Sequence, residues 1–300
     1  MSKKILFILH LPPPVHGSSM VGQYIYESRI INNAFECQFI NLGTSRSIDE
    51  IGKNPIQKIG RYFSILSQVF KQLIWFKPQM CYLAIAARGY AFYKDALVAL
   101  MIKAFRVPLV YHFHNKGVST WQKKRFNNLL YQIVFKNSYA ILLSKCLYPD
   151  VQKYFPEKKV FYCPNGIPDI KIKRTKDLVN NDKAVEILFL SNLIESKGVF
   201  VLLEACKILK NKNIAFYCTF VGSEGDITTQ IFNAAIKDFD LTDNVHYLGR
   251  KYGKEKEEAF AKADIFAFPT YYDNECFPLV LLEAMQNRLP VISTYEGGIQ

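Results

Sequence analysis

The first 150 residues are short of acid: six Asp and Glu stand against 19 Lys and Arg. The other half carries 20 acids and 19 bases, so the whole formal excess of +12 at pH 7 sits in the first half. Long hydrophobic runs are missing too. No apolar stretch approaches the ~20 residues that carry a helix across a bilayer. Lys3-Lys4 before Ile5–Leu9 imitates a secretory leader, but Pro12-Pro13-Pro14 interrupts it and no Ala-x-Ala-like site follows, so a first core strand is the reading. The seven cysteines (Cys37, Cys81, Cys146, Cys163, Cys206, Cys218, Cys276) form no Cys-x-x-Cys pair. Their odd count and irregular spacing argue against a disulfide framework or a zinc site and for a reducing cytosol. Also absent are a Gly-x-Gly-x-x-Gly fingerprint, an Asp-x-Asp metal motif, a recognisable RNA- or DNA-binding motif, solenoid-spaced repeats and low-complexity tracts. Disorder is excluded by a hydrophobic content of 50%.

What remains is an alternation. Strand-like apolar runs fall at Ile5–His10, Cys37–Leu42, Met80–Ala84, Leu109–His114, Tyr139–Ser144 and Val160–Cys163. A second series falls at Glu186–Ser191, Ala215–Gly222, Val245–Leu248, Ile265–Phe268 and Val291–Thr294. Helix-length amphipathic segments such as Val199–Lys210 and Ile227–Phe239 lie between them. Such alternation predicts parallel sheets covered by helices. At 300 residues two domains are expected. The polar stretch 168–183 reads as the linker between a domain over 1–167 and a second over 184–300. Ligands of such sheets bind beyond the carboxyl ends of the strands.

The unusual residue clusters follow predicted strands. After the first, Pro14-Val15-His16-Gly17-Ser18-Ser19 enters a helix; Gly17 permits close approach of a phosphate or sugar, Ser18 or Ser19 can cap the helix, and a plain βα turn serves equally. After the fourth, His112 and His114 share one face of a strand. His114 at its tip is placed to meet a substrate hydroxyl or to be an ordinary core histidine, and no neighbouring acid or cysteine completes a metal site. After the seventh, Ser191-Asn192 leads to Lys197-Gly198, where the ammonium can offset diphosphate charge or simply lie in water. Gly222 and Gly249-Arg250 end two later strands and suit close approach of a ligand.

The most informative stretch is Glu275-Cys276-Phe277-Pro278-Leu279-Val280-Leu281-Leu282-Glu283. Pro278 suits the first position of a helix running to about Asn287. That places Glu275 at the helix mouth and Glu283 within an almost wholly apolar helix. A buried carboxylate needs donors. A sugar diol supplies two, an internal salt bridge is the alternative, and Glu275 could be a first-turn partner of the helix dipole. The amides around Phe277, Pro278 and Leu279 suit a phosphate.

In the order Asn165-Gly166, Lys197-Gly198, Gly222, Gly249-Arg250, Glu275-x7-Glu283 and Gly297-Gly298, these elements resemble the retaining GT-B glycosyltransferases of family 4, the glycosyl transferases group 1. The match is strong over 160–300 and looser before. The resemblance implies an α/β protein of two Rossmann-like, doubly wound domains facing a cleft, the second holding a nucleotide-sugar and the first an acceptor. By position, Glu275 would contact donor-sugar hydroxyls and Glu283 the ribose. Lys197 and the amides of 277–279 would bind the diphosphate, with Asn192 and Gly222 lining the site. Arg250 would lie beside the base, Gly17 would approach the diphosphate from the other domain, and His114 would stand near the donor sugar. Transfer would be retaining and of hexosyl type, need no metal or other cofactor, and serve a glycan or lipid-linked acceptor in cell-surface polysaccharide synthesis. Two departures stand out. Ser191-Asn192 replaces the Gly-Arg often found after the seventh strand, leaving Lys197 with less help, and relatives continue past the position of Gln300, so the second domain is expected to be incomplete.

The acceptor side is read from two basic, aromatic patches, Lys53–Lys77 and Trp121–Arg125. They suit the inner face of an anionic membrane, and lysines in water on packed helices suit them as well. The basic first half leaves a nucleic-acid- or membrane-binding protein as the reading of another class, although no nucleic acid is expected as a partner. A nucleotide-sugar epimerase or phosphorylase of the same shape and a glycoside hydrolase built on the two acids are the competing enzyme readings.

Overall fold

The computed structural model describes residues 2–43, 55–169 and 184–299. Two compact units divide the chain, Met1–Asn165 and Gly166–Gln300. Of the segment read as a linker, residues 170–183 lie outside the described residues.

The first unit runs β1 (Lys3–Leu9), α1 (Gly17–Glu27), α2 (Arg29–Ala34), β2 (Phe35–Asn41), α3 (Pro55–Trp75), β3 (Met80–Ile85), α4 (Gly89–Ala104) and β4 (Leu109–Phe113). It continues with α5 (Val118–Trp121), α6 (Arg125–Phe135), β5 (Tyr139–Leu142), α7 (Tyr148–Val151) and β6 (Val160–Tyr162). Its sheet has the order β2-β1-β3-β4-β5-β6, parallel throughout. The second unit comprises β7 (Val185–Leu190), α8 (Val199–Asn211), β8 (Phe216–Val221), α9 (Thr229–Asp238), β9 (Val245–Tyr247), α10 (Gly253–Lys262), β10 (Ile265–Phe268), α11 (Leu279–Gln286) and β11 (Val291–Ser293). Its parallel order is β11-β10-β7-β8-β9.

The packing explains the sequence pattern. Helices on both faces bury the inner strands, so β1 reads as five consecutive buried apolar residues, Ile5 to Leu9, without alternation. Helix α8 buries Val199, Leu202, Leu203 and Cys206, an i, i+3, i+4, i+7 stripe, against the second sheet. All eleven predicted strands form. Nine of the residues read as their last, including His10, His114, Ser191, Gly222 and Thr294, fall just past the observed ends, whereas Ala84 and Phe268 lie within them. Apolarity reports burial of side chains, whereas a strand ends where its ladder does.

In each unit the strand order reverses once. The chain turns back between β1 and β3 in the first sheet and between β7 and β10 in the second. Strand-to-helix loops leave in opposite directions at such a point, which opens a crevice at the carboxyl edge.

Candidate functional site

In the second unit the crevice is flanked by the segments that follow β7 and β10. After β7 the chain passes Asn192 into a single 3-10 turn, Glu195–Lys197, then Gly198 and α8. Gly198 sits at φ +88°, and a Cβ there would lie 2.2 Å from the Pro269 carbonyl oxygen, so only glycine lets the turn lie on the segment after β10. That segment is tied back in turn: the Tyr271 amide donates to the Ser196 carbonyl at 2.8 Å.

This docking brings Lys197 and Glu275 together, 78 residues apart in sequence. The Lys197 ammonium donates to the Glu275 carboxylate. The two side chains are only 15% and 9% exposed. The same ammonium lies 4.4 Å from the centre of the Tyr272 ring and 5.5 Å from that of Phe268. Asn274, next to Glu275, has its Oδ1 buried with no hydrogen-bond partner among the described residues. Behind the carboxylate, Gly297 at φ +63° packs so closely that a Cβ would stand 2.2 Å from the Glu275 carbonyl oxygen. The Gly298 amide donates to the Cys276 carbonyl at 2.6 Å.

Further along the edge, Gly222 lies against the Ser191 carbonyl, where a Cβ would be 1.9 Å away. Its own carbonyl takes the Tyr247 hydroxyl at 2.7 Å. Asn192 Oδ1 accepts the Ser223 amide at 3.3 Å. The Arg250 guanidinium lies 4.7 Å over the Tyr252 ring and donates to its hydroxyl at 2.5 Å.

Helix α11 corrects two expectations. Pro278, at ψ 123°, is the N-cap and not the first helical residue, because its extended backbone turns the chain into the helix from Leu279. The helix is also not buried all round: Leu281 and Ala284 face the core, Met285 is exposed, and the Glu283 side chain is 26% exposed. Glu283 takes the internal salt bridge, with Lys256 of α10 at 2.6 Å. Glu275 is not a dipole partner of the helix, since its carboxylate turns to Lys197 instead. No side chain caps α11 among the described residues, and its mouth is formed by Phe277, Pro278 and Leu279.

His114 and Gly17 belong to the first unit. Around the strand reversal there, His10, Ser18, Ala84–Ala86, His114 and Asn115 line a cavity of about 90 Å³. The His112 and His114 rings lie 4.1 Å apart, and the Tyr82 hydroxyl meets His112 Nδ1. His112 Nε2 and His114 Nδ1 are buried without a partner among the described residues. The tightest glycine of this unit is Gly22. A Cβ on Gly22 would stand 1.9 Å from the His10 carbonyl oxygen, whereas one on Gly17 meets nothing within 4 Å. The N-cap of α1 is His16 and neither serine; Ser19 closes the capping box by accepting the His16 amide at 2.9 Å.

Burial dominates the titration of this cluster. It lowers His112 to about 4 and, helped by His16 and Lys94, His10 to about 4; it also holds His114 well below the ordinary histidine range. A base depressed in the folded state stays neutral while the unfolded chain takes up its proton. Stability is therefore complete above about pH 6.5 and lost as pH falls toward 4. Urea unfolding of the first unit at pH 4.5 is expected to show less stability than at pH 7, by on the order of 2 kcal/mol for each ring so depressed. A midpoint unchanged between the two would mean that the rings are protonated in the folded chain.

Three residues that shape these sites left little trace in the sequence. Tyr272 beneath the Lys197 ammonium sits in a loop with no periodicity, Lys256 is 27 residues from Glu283, and Gly22 lies inside a helix.

Residues 170–300 match the family described as Glycosyl transferases group 1. Over 149 residues the chain is 36% identical to the amylovoran biosynthesis glycosyltransferase AmsK of Erwinia amylovora, a match covering 48% of this chain and 36% of AmsK. The chain thus spans about a third of that relative's length. Among solved structures, sucrose-phosphate synthase from Thermosynechococcus elongatus superposes with a TM-score of 0.73 at 16% identity, over 99% of this chain and 82% of that one. HepE of Anabaena, solved in complex with UDP and glucose, gives a TM-score of 0.65 at 15% identity over 99% and 82%. At these identities the likeness carries the fold, which is GT-B. The resemblance to glycosyl transferases group 1 is thus borne out over residues 170–300.

Proposed function

We infer, from a second unit that matches the glycosyl transferases group 1, that this chain is the whole or a part of a glycosyltransferase that moves a hexosyl group from a nucleotide-sugar to a glycan or lipid-linked acceptor in cell-surface polysaccharide synthesis. The observation that carries the reading is the Lys197–Glu275 pair at the strand reversal of the second sheet. A cation and an acid held together at the carboxyl edge suit a donor that is anionic at one end and rich in hydroxyls at the other.

The donor exchanges their partners. Its diphosphate takes the Lys197 ammonium, assisted by the amides at the mouth of α11, and Glu275 is released to accept sugar hydroxyls. As the anomeric bond breaks, Lys197 stabilises the charge gathering on the departing nucleoside diphosphate. Glu283 exchanges Lys256 for the ribose hydroxyls, and Arg250 with Tyr252 offers a flat cationic surface to the base. Positive protein groups fill the role a divalent cation would otherwise have, so activity survives chelation by EDTA. The transfer retains the anomeric configuration, read by NMR of the product. Seven cysteines at irregular spacing, with no Cys-x-x-Cys pair, suit a reducing cytosol.

The deciding experiment is a thermal-shift panel of nucleoside diphosphates and nucleotide-sugars, with UDP-sugars first because HepE binds UDP. A selective shift followed by acceptor-dependent release of the nucleotide supports the reading. No shift from any donor, or turnover without acceptor, defeats it. Glu283→Gln is expected to weaken donor binding by about 1.5–3 kcal/mol, the scale of a charge-assisted hydrogen bond. An unchanged calorimetric titration would show that Glu283 serves only Lys256.

A further inference from the structure

We propose that the first unit rests on an anionic lipid bilayer through the outer face of the layer formed by α3, α4 and α6. These helices connect β2 to β3, β3 to β4 and β4 to β5, three crossovers in one direction, so right-handed connection places them on one side of the sheet. They pack side by side, α3 on α4 and α4 on α6.

Each helix turns one apolar stripe to the sheet and a second one outward. Helix α3 buries Ile65, Val69 and Leu73, yet Ile59, Phe63, Phe70 and Ile74 are 38–64% exposed. Those four recur at i, i+4, i+11 and i+15, a single side of the helix. On α6, Phe126, Leu129 and Ile133 are 48–68% exposed, again one stripe, and on α4 Tyr90 and Leu97 are exposed along its length. Ring contacts join the stripes: Phe70 meets Phe105 at the end of α4 at 5.8 Å, and Tyr93 of α4 meets Phe126 at 6.2 Å. Single exposed apolar residues are ordinary, but a face shared by three neighbouring helices marks a docking surface.

The charge on this face selects the occupant. The three helices contain one acid, Asp95, and it is buried, with its carboxylate on the Ala86 amide at 2.8 Å. Around the stripes stand exposed Lys71, Arg106, Lys123, Lys124, Arg125 and Lys136. Nucleic acid would engage these cations and leave the aromatic and aliphatic stripes in water. A second copy would bring two like-charged faces together. An anionic bilayer accepts both parts, apolar side chains below the headgroups and lysines among them.

The test is sedimentation of the full chain with vesicles of phosphatidylcholine, with and without about 30% phosphatidylglycerol. Binding to the anionic vesicles alone, weakening as salt rises, is expected. Joint replacement of Phe63→Ser and Phe126→Ser, both exposed, is expected to lower the bound-to-free ratio about tenfold. Lys123→Glu with Lys124→Glu should lower it at least as much, given about 1 kcal/mol per basic residue near the surface. Unchanged nucleotide-induced thermal shifts in both variants keep this test separate from the donor reading. Equal sedimentation of the aromatic variant, no preference for the anionic lipid, or a dimer by light scattering that the aromatic substitutions dissolve would each overturn the proposal.

Discussion

Lys197→Met is expected to lower sugar transfer about 100- to 1,000-fold, the scale lost when one pre-placed charge is removed from a site where charge develops. The same change should cost the second unit about 2–4 kcal/mol, because it leaves Glu275 as an unpaired carboxylate in a nearly closed setting. The ring faces of Tyr272 and Phe268 lose their cation as well. The two effects separate in the double variant Lys197→Met, Glu275→Leu. With no stranded charge left, most of the stability should return, while transfer should stay at the level of the single variant. Chemical unfolding with kcat/KM on the same preparations reads both. A double variant that regains transfer would show that the pair is only a structural clamp.

Gly198→Ala is expected to destabilise the second unit by about 3 kcal/mol or more, from a left-handed backbone and a methyl driven into a carbonyl. The obstacle is the Pro269 oxygen, 2.2 Å from the new carbon, and main chain cannot swing aside as a lysine tip would. Relief requires the 3-10 turn and the segment after β10 to part, and that separates Lys197 from Glu275. Loss of stability and loss of donor binding should therefore come together in this variant. Gly17→Ala supplies the contrast. Nothing stands within 4 Å of its added carbon, so thermal unfolding should move little, with any change toward greater stability. A drop in donor affinity there would come from the ligand approaching α1, not from the fold. If Gly198→Ala unfolds at the wild-type midpoint, the contact with Pro269 does not hold the turn in place.

Much of the architecture was legible because the physics that builds it is local and periodic. A parallel strand covered on both faces must be apolar along its length, and eleven such runs, separated by helix-length segments, announce two doubly wound sheets. Candidate site residues stood out for a related reason: Lys197, Gly222 and Glu275 are glycines or charged residues that interrupt or follow apolar runs. The reading erred where a local pattern had more than one tertiary outcome. The apolar helix after Pro278 suggested burial on every side, but α11 lies where Met285 and Glu283 reach the surface. The serines after Gly17 looked like the cap of α1, yet the N-cap is His16 and Ser19 only closes the box.

The sequence by itself determined the fold class, the crowding of candidate site residues near strand ends and the basic bias of the first half, because burial, turn geometry and charge are properties of single residues and their near neighbours. Only the tertiary structure decided who faces whom. It gave Lys197 to Glu275, Lys256 to Glu283 and Tyr82 to His112, and it merged the outer stripes of three helices into one face. Such pairings depend on which strands become neighbours when a sheet reverses its order, and no pattern along the chain encodes that choice.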